Sequence, residues 1–163
     1  MLFRSDHAAR RTGRLGDAWV PGWLSPSEMA RGVGIVRETA VEAGRDPNAI
    51  EIAVEKLTVI AKTREAALDR GLPTVRTSSK TYERDVDDIQ FALDRHIIGS
   101  VDDVRRRVGE FVEAGVTHFE LKLLYASMDE LRSQMDLWAE RSEEHTSELQ
   151  SLAYLVCRLL LEK

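Results

Sequence analysis

The chain has 163 residues, with 23 lysines and arginines against 28 aspartates and glutamates, a formal net charge of −5. That length suffices for one domain with a core of its own but falls short of the roughly 250 residues of a complete eight-stranded βα barrel. Mild acidity without a basic stripe argues against a nucleic-acid partner, no run approaches the roughly 20 apolar residues of a membrane span, and no apolar signal core opens the chain, so the cytoplasm is the expected compartment.

In chain order, Ser5 is placed to cap a basic, exposed helix running to about Leu15, which Gly16 and Asp17 end. Residues Ala18–Pro21 predict a short strand, because proline and glycine suit its C-terminal end better than its middle. Ser25, Pro26 and Glu28 then compose a capping box with proline at the first helical position, where its missing N–H has no partner to lose. Met29, Val33, Val36 and Ala40 fall on one face of that helix, Gly44 stops it, and Asp46 with Pro47 makes the turn.

Residues Ile50–Ala61 are β-branched and long, which predicts a strand, and Thr63 is placed to cap a helix beginning at Arg64. From Leu72 to about Asp94, Pro73, the run Thr77–Ser79 and the cluster Asp85, Asp87, Asp88 predict an excursion of weak helical content. In a βα framework such an insertion belongs after a strand, on the functional face. Residues Ile97–Ser100 lead into a helix capped by Ser100, with Asp102 and Asp103 at its positive dipole end and Val101, Val104, Val108 and Phe111 as its apolar stripe. After Gly115, the polar–apolar alternation of His118–Leu124 predicts a strand. Ser127 and Glu130 form another capping box, and Met128, Leu131, Met135 and Trp138 are expected as the inner stripe of the last helix.

Three strands separated by helices of crossover length predict parallel pairing with right-handed βαβ connections. Three strands cannot close a barrel and leave parallel edges on both sides, so residues 1–140 read as part of something larger. Residues Arg141–Ser151 (RSEEHTSELQS) are the in-frame translation of a widely used sequencing-library adapter. Residues 141–163 are therefore expected to be an artefactual tail, disordered or loosely helical, in spite of the leucine-rich run Leu152–Leu161. The single cysteine, Cys157, lies in that tail and can make no internal disulfide.

At Arg14–Gly22 (RLGDAWVPG) the sequence resembles the luciferase-like monooxygenase family, with Ala18 where a glycine is usual. The resemblance continues through Ala43–Pro47 (AGRDP), Ile97–Val104 (IIGSVDDV) and Val112–Phe119 (VEAGVTHF), and so covers nearly all of residues 5–140. It implies an α/β fold, a partial (βα)8 TIM barrel made of the last three βα units with parallel strands. It implies a flavin- or deazaflavin-dependent oxidoreductase or monooxygenase, using coenzyme F420 or FMN to transfer hydride to or from a small organic substrate. The cofactor carries the hard chemistry and the protein orients it. A homodimer is implied for the intact parent. Relatives commonly place paired glycines before the arginine-rich helix, where backbone approaches the cofactor phosphate; here Phe3, Arg4 and Ser5 stand instead.

Trp19 and Gly22, at the end of the first strand, are the candidate cofactor contacts. Trp19 fits either an aromatic wall against the cofactor ring or core packing, whereas Trp23 reads as packing under the next helix. His118, Glu120 and Lys122 share one face of the last strand and Lys56 has the parity of Ile52 and Val54, so these four are the candidate substrate pocket. The polar triplet could equally be a paired polar layer, since inward charges are costly unless paired. Lys56 also admits a second reading, a barrel lyase or aldolase with a Schiff-base lysine, in which Lys122 is the other candidate amine. A third reading is an inactive truncated product. His7 and His96 have no ligand partner at metal spacing and are expected at the surface, so no metal is assigned.

Overall fold

Each helix begins where the local chemistry can satisfy its first N–H groups. In the computed structural model, which describes residues 5–81 and 89–139, Ser5 accepts from the Ala8 N–H and starts α1 (Asp6–Leu15). Ser25 accepts from the Glu28 N–H while the Glu28 carboxylate accepts from the Ser25 N–H at 2.8 Å, with Pro26 opening α2 (Pro26–Glu42). Helix α3 (Arg64–Thr81) follows Thr63, whose hydroxyl accepts from the Ala66 N–H. A seven-residue α4 (Ile89–Arg95) comes next. Helix α5 (Val101–Glu113) starts at Ser100, and α6 (Met128–Ala139) at Ser127, which accepts from the Glu130 N–H. The expected tail at 141–163 and the cluster Asp85, Asp87, Asp88 lie outside the described residues.

The strands are β1 (Ala18–Trp19), β2 (Glu51–Ala61), β3 (Ile97–Ser100) and β4 (His118–Leu123), and β2 pairs with each of the other three. β1 is parallel to β2 in the register Ala18↔Glu51 and Trp19↔Ile52. β3 is parallel to β2 from Thr58↔Ile97 to Ala61↔Ser100. Four strands stand where three were expected: Ile97–Ser100 is short and runs straight into its helix, so it has the look of a helix lead-in. Pairing with β2 is what makes it a strand.

The described chain divides into two compact units. The first holds the residues up to Glu55 with Val108–Glu120. In it α1 packs on α2, Arg31 bridges to Asp6 at 2.5 Å, and Met29, Val33, Val36 and Ala40 are buried as the helical stripe requires. Phe111 of α5 meets Phe119 of β4 edge to face, with centroids 6.3 Å apart, a favoured aromatic geometry.

The second unit holds Lys56–Arg107 and the described residues from Leu121 on. Its core is Val59, Ala67, Val75, Leu93 and Ile98, with Leu57, Leu68, Phe91 and Leu124 against it. Gly71 lets α3 come close, because a Cβ there would stand 2.9 Å from the Ile98 Cδ1 and 3.3 Å from Val59 Cγ2. The excursion expected to be weakly helical is thus a real helix as far as Thr81, running through Pro73. Apolar contacts by Ala67, Leu68 and Val75 outweigh the proline's missing N–H. The inner stripe of α6 also differs from expectation: Met128 is 55 % exposed, while Gln134 is buried. The Gln134 side chain accepts from the Ile60 N–H at 3.0 Å and donates to the Leu124 carbonyl at 2.8 Å. It closes backbone groups where the ladder ends, which an apolar side chain could not do.

Candidate functional site

Parallel α/β sheets bind ligands beyond the carboxyl ends of their strands, where loops are free to vary on a fixed scaffold. In the first unit that end of β1 leads into Val20–Leu24. Trp19 is buried, and its ring lies so close over Gly32 of α2 that any Cβ there would overlap it. Gly22 has open space, with no atom within 4 Å of where a Cβ would stand. Trp23 adopts φ +60°, is half-buried, and is the one non-glycine residue in the left-handed region among the described residues.

Along β4, Phe119 is buried and Leu121 and Leu123 are half-buried, while His118 is half-exposed and Glu120 and Lys122 are exposed. The polar row therefore lies on the opposite face from the buried aromatic. In the first unit His118 Nδ1 stands 3.2 Å from a Glu51 carboxylate oxygen on β2. Glu55 is also exposed on β2. Thr117 ties the start of β4 to β2: its N–H donates to the Ile52 carbonyl at 2.8 Å, and its hydroxyl accepts from the Ile52 N–H at 3.0 Å.

In the second unit Lys56 is fully buried, in a row with Thr58 and Ile60. His96 is buried too, against the expectation of a surface residue. It immediately precedes β3, so the unforeseen strand pairing carries it inside. Burial, reinforced by the charges of Lys56 and Arg95, pushes its pKa down to about 3 from an ordinary 6.5. The imidazole is neutral at physiological pH, and a buried neutral histidine beside a buried lysine carries no sequence signal beyond the strand that places it.

The same unit holds Asp103, which accepts from the Ser100 N–H at 3.1 Å and hydroxyl at 2.9 Å and pairs with Arg64 at 2.7 Å. Partial burial pushes its pKa upward, but the Ser100 bonds, Arg106 and Arg64 together hold it below the ordinary carboxylate range. No group of three or more His, Cys, Asp or Glu among the described residues is disposed to hold a metal. No helix there is long and apolar enough to cross a membrane.

The connection after β1 and the start of α1 differ in what they leave accessible. Open backbone at Gly22 and an aromatic at Trp23 border the end of β1. The α1 N-terminus, by contrast, is closed by the Ser5 cap and carries Asp6 in its first turn, a negative charge where a phosphate would need a positive one.

Residues 4–118 match the family described as luciferase-like monooxygenase. Over 57 residues the chain is 39 % identical to the phthiodiolone/phenolphthiodiolone dimycocerosates ketoreductase of Mycobacterium tuberculosis, covering 34 % of this chain and 15 % of that protein. A monooxygenase from Streptomyces bottropensis superposes with a TM-score of 0.69 at 19 % identity, covering 88 % of this chain and 46 % of that one. The coenzyme F420 dependent tetrahydromethanopterin reductase of Methanopyrus kandleri gives 0.64 at 18 % identity, covering 80 % and 46 %. An F420-dependent secondary alcohol dehydrogenase gives 0.62 at 17 %, covering 76 % and 42 %. The chain thus spans under half the length of these proteins, and its parallel α/β fold is that of part of a luciferase-like TIM barrel.

Proposed function

Because the chain belongs to the luciferase-like monooxygenase family, we propose that it supplies the last four βα units of a flavin- or deazaflavin-dependent oxidoreductase that transfers hydride between coenzyme F420 or FMN and a small organic substrate. The observation that carries this reading is the parallel sheet itself: a match to under half of each related barrel, with the polar row of β4 left facing away from the buried aromatic. The bound cofactor supplies the hydride chemistry. The chain's own residues hold and orient. Gly22 admits close backbone approach at the end of β1, over the scaffold that Trp19 fixes by packing on Gly32. His118, held by Glu51, and Glu120 offer polar groups to a substrate, and the same strand carries Lys122. Lys56, buried beside neutral His96, would reach a substrate only from within the interior.

The test is to join the full chain in frame behind the first four βα units of a luciferase-like barrel and follow the visible absorption of F420 and FMN with small alcohols and ketones. Cofactor reduction or reoxidation dependent on substrate is the expected result. A borohydride-trapped adduct on Lys56 or Lys122 with a carbonyl compound, without cofactor turnover, would instead establish the lyase reading.

A further inference from the structure

We infer that Trp23, not Trp19, is the aromatic surface that this chain presents to the planar tricyclic ring of the cofactor, an inference that rests on the oxidoreductase reading. The two tryptophans sit four residues apart around Pro21 and Gly22 and have opposite fates. Trp19 is 3 % exposed, with its ring against Gly32, so α2 has already taken its face. Trp23 is only half-buried, and its backbone stands at φ +60°, a conformation that a bulky side chain rarely adopts.

Nothing in the local chain relaxes that conformation. On one side Pro21 is buried; on the other Leu24 is buried and the Ser25–Glu28 capping box fixes the first turn of α2. The short connection therefore has both ends pinned, with the left-handed residue between them. The same connection carries Val20, 51 % exposed, and the open space at Gly22. An apolar side chain, bare backbone and a rigid indole at the carboxyl end of a parallel strand make a surface for a flat, weakly polar ring, not for a charged or extended group. Backbone strain held by surrounding structure is the kind that accumulates at ligand clamps.

The test uses the full chain joined behind the first four βα units, titrated with FMN and with F420, reading cofactor fluorescence and the quenching of indole emission. Trp23→Phe keeps a ring and should bind within about threefold of the parent. Trp23→Asn tolerates the left-handed backbone but has no ring, and should weaken binding of both cofactors roughly tenfold or more, the scale of one lost aromatic stack. Thermal melts of both variants confirm the fold. Unchanged affinity in Trp23→Asn overturns the assignment while leaving the oxidoreductase reading intact. Failure of the parent protein to bind either cofactor overturns both.

Discussion

At residue scale, Trp23, Gly32 and His96 carry most of what is testable. Trp23 at φ +60° stores backbone strain on the order of 1–3 kcal/mol. Among residues with a Cβ, a β-branched replacement fits that conformation worst and asparagine best. Trp23→Val is therefore expected to be less stable than Trp23→Asn by about 1 kcal/mol in urea unfolding, although valine is the more hydrophobic; the opposite order would show that the conformation relaxes. Gly32→Leu has no room beneath Trp19 and should destabilise by about 1–3 kcal/mol, as overpacked sites do.

His96 sets a pH dependence. Its folded pKa of about 3 lies below the ordinary 6.5, so between those values the unfolded chain takes up a proton that the folded chain refuses. Stability is unaffected by this group above pH 6.5 and falls as pH drops through the window, by up to about 1.4 kcal/mol per pH unit. Asp103, with its pKa lowered, contributes stability above its ordinary value that is lost only at more acid pH. Denaturant titrations should therefore show a slope between pH 6.5 and 4 that flattens in His96→Gln; an unchanged slope would mean that the histidine titrates normally.

At the scale of elements, α3 holds together across a proline. Pro73 cannot donate to the carbonyl of Asp69, and the helix persists because Ala67, Leu68 and Val75 pack into the second unit's core. Pro73→Ala is expected to raise stability by about 1–3 kcal/mol, read from the unfolding midpoint, since the position is exposed and the local penalty is simply removed. No gain would mean that the helix is already bent to suit the proline.

The same helix shows where sequence reasoning reaches and where it stops. Caps were legible because their chemistry is local: Ser5, Ser25, Thr63, Ser100 and Ser127 all accept the backbone N–H that their spacing implies. The stripe of α2 was legible because period 3.6 is local too. β3 was not, because a four-residue strand is defined by its partner β2, distant in sequence. His96 was misplaced for the same reason, and Gln134 was passed over because nothing near it in sequence says that the Ile60 N–H needs an acceptor. At the candidate site, the alternation of His118, Glu120 and Lys122 was visible, but the burial of Trp19 depends on Gly32, which lies in another element.

At the scale of the molecule, two facts meet. Residues 4–118 belong to the luciferase-like family, and the parallel sheet corresponds to less than half of each related barrel. In the proposed oxidoreductase, the polar row on β4 and the open backbone at Gly22 are portions of the cofactor and substrate wall. The most direct measurement is an equilibrium titration of FMN and F420 into the full chain, first alone and then joined behind the first four βα units of a related barrel. The joined protein is expected to bind one of the two cofactors at one per chain with at least a hundredfold tighter affinity than the chain alone. A joined protein that folds cooperatively yet takes up neither cofactor would contradict the account.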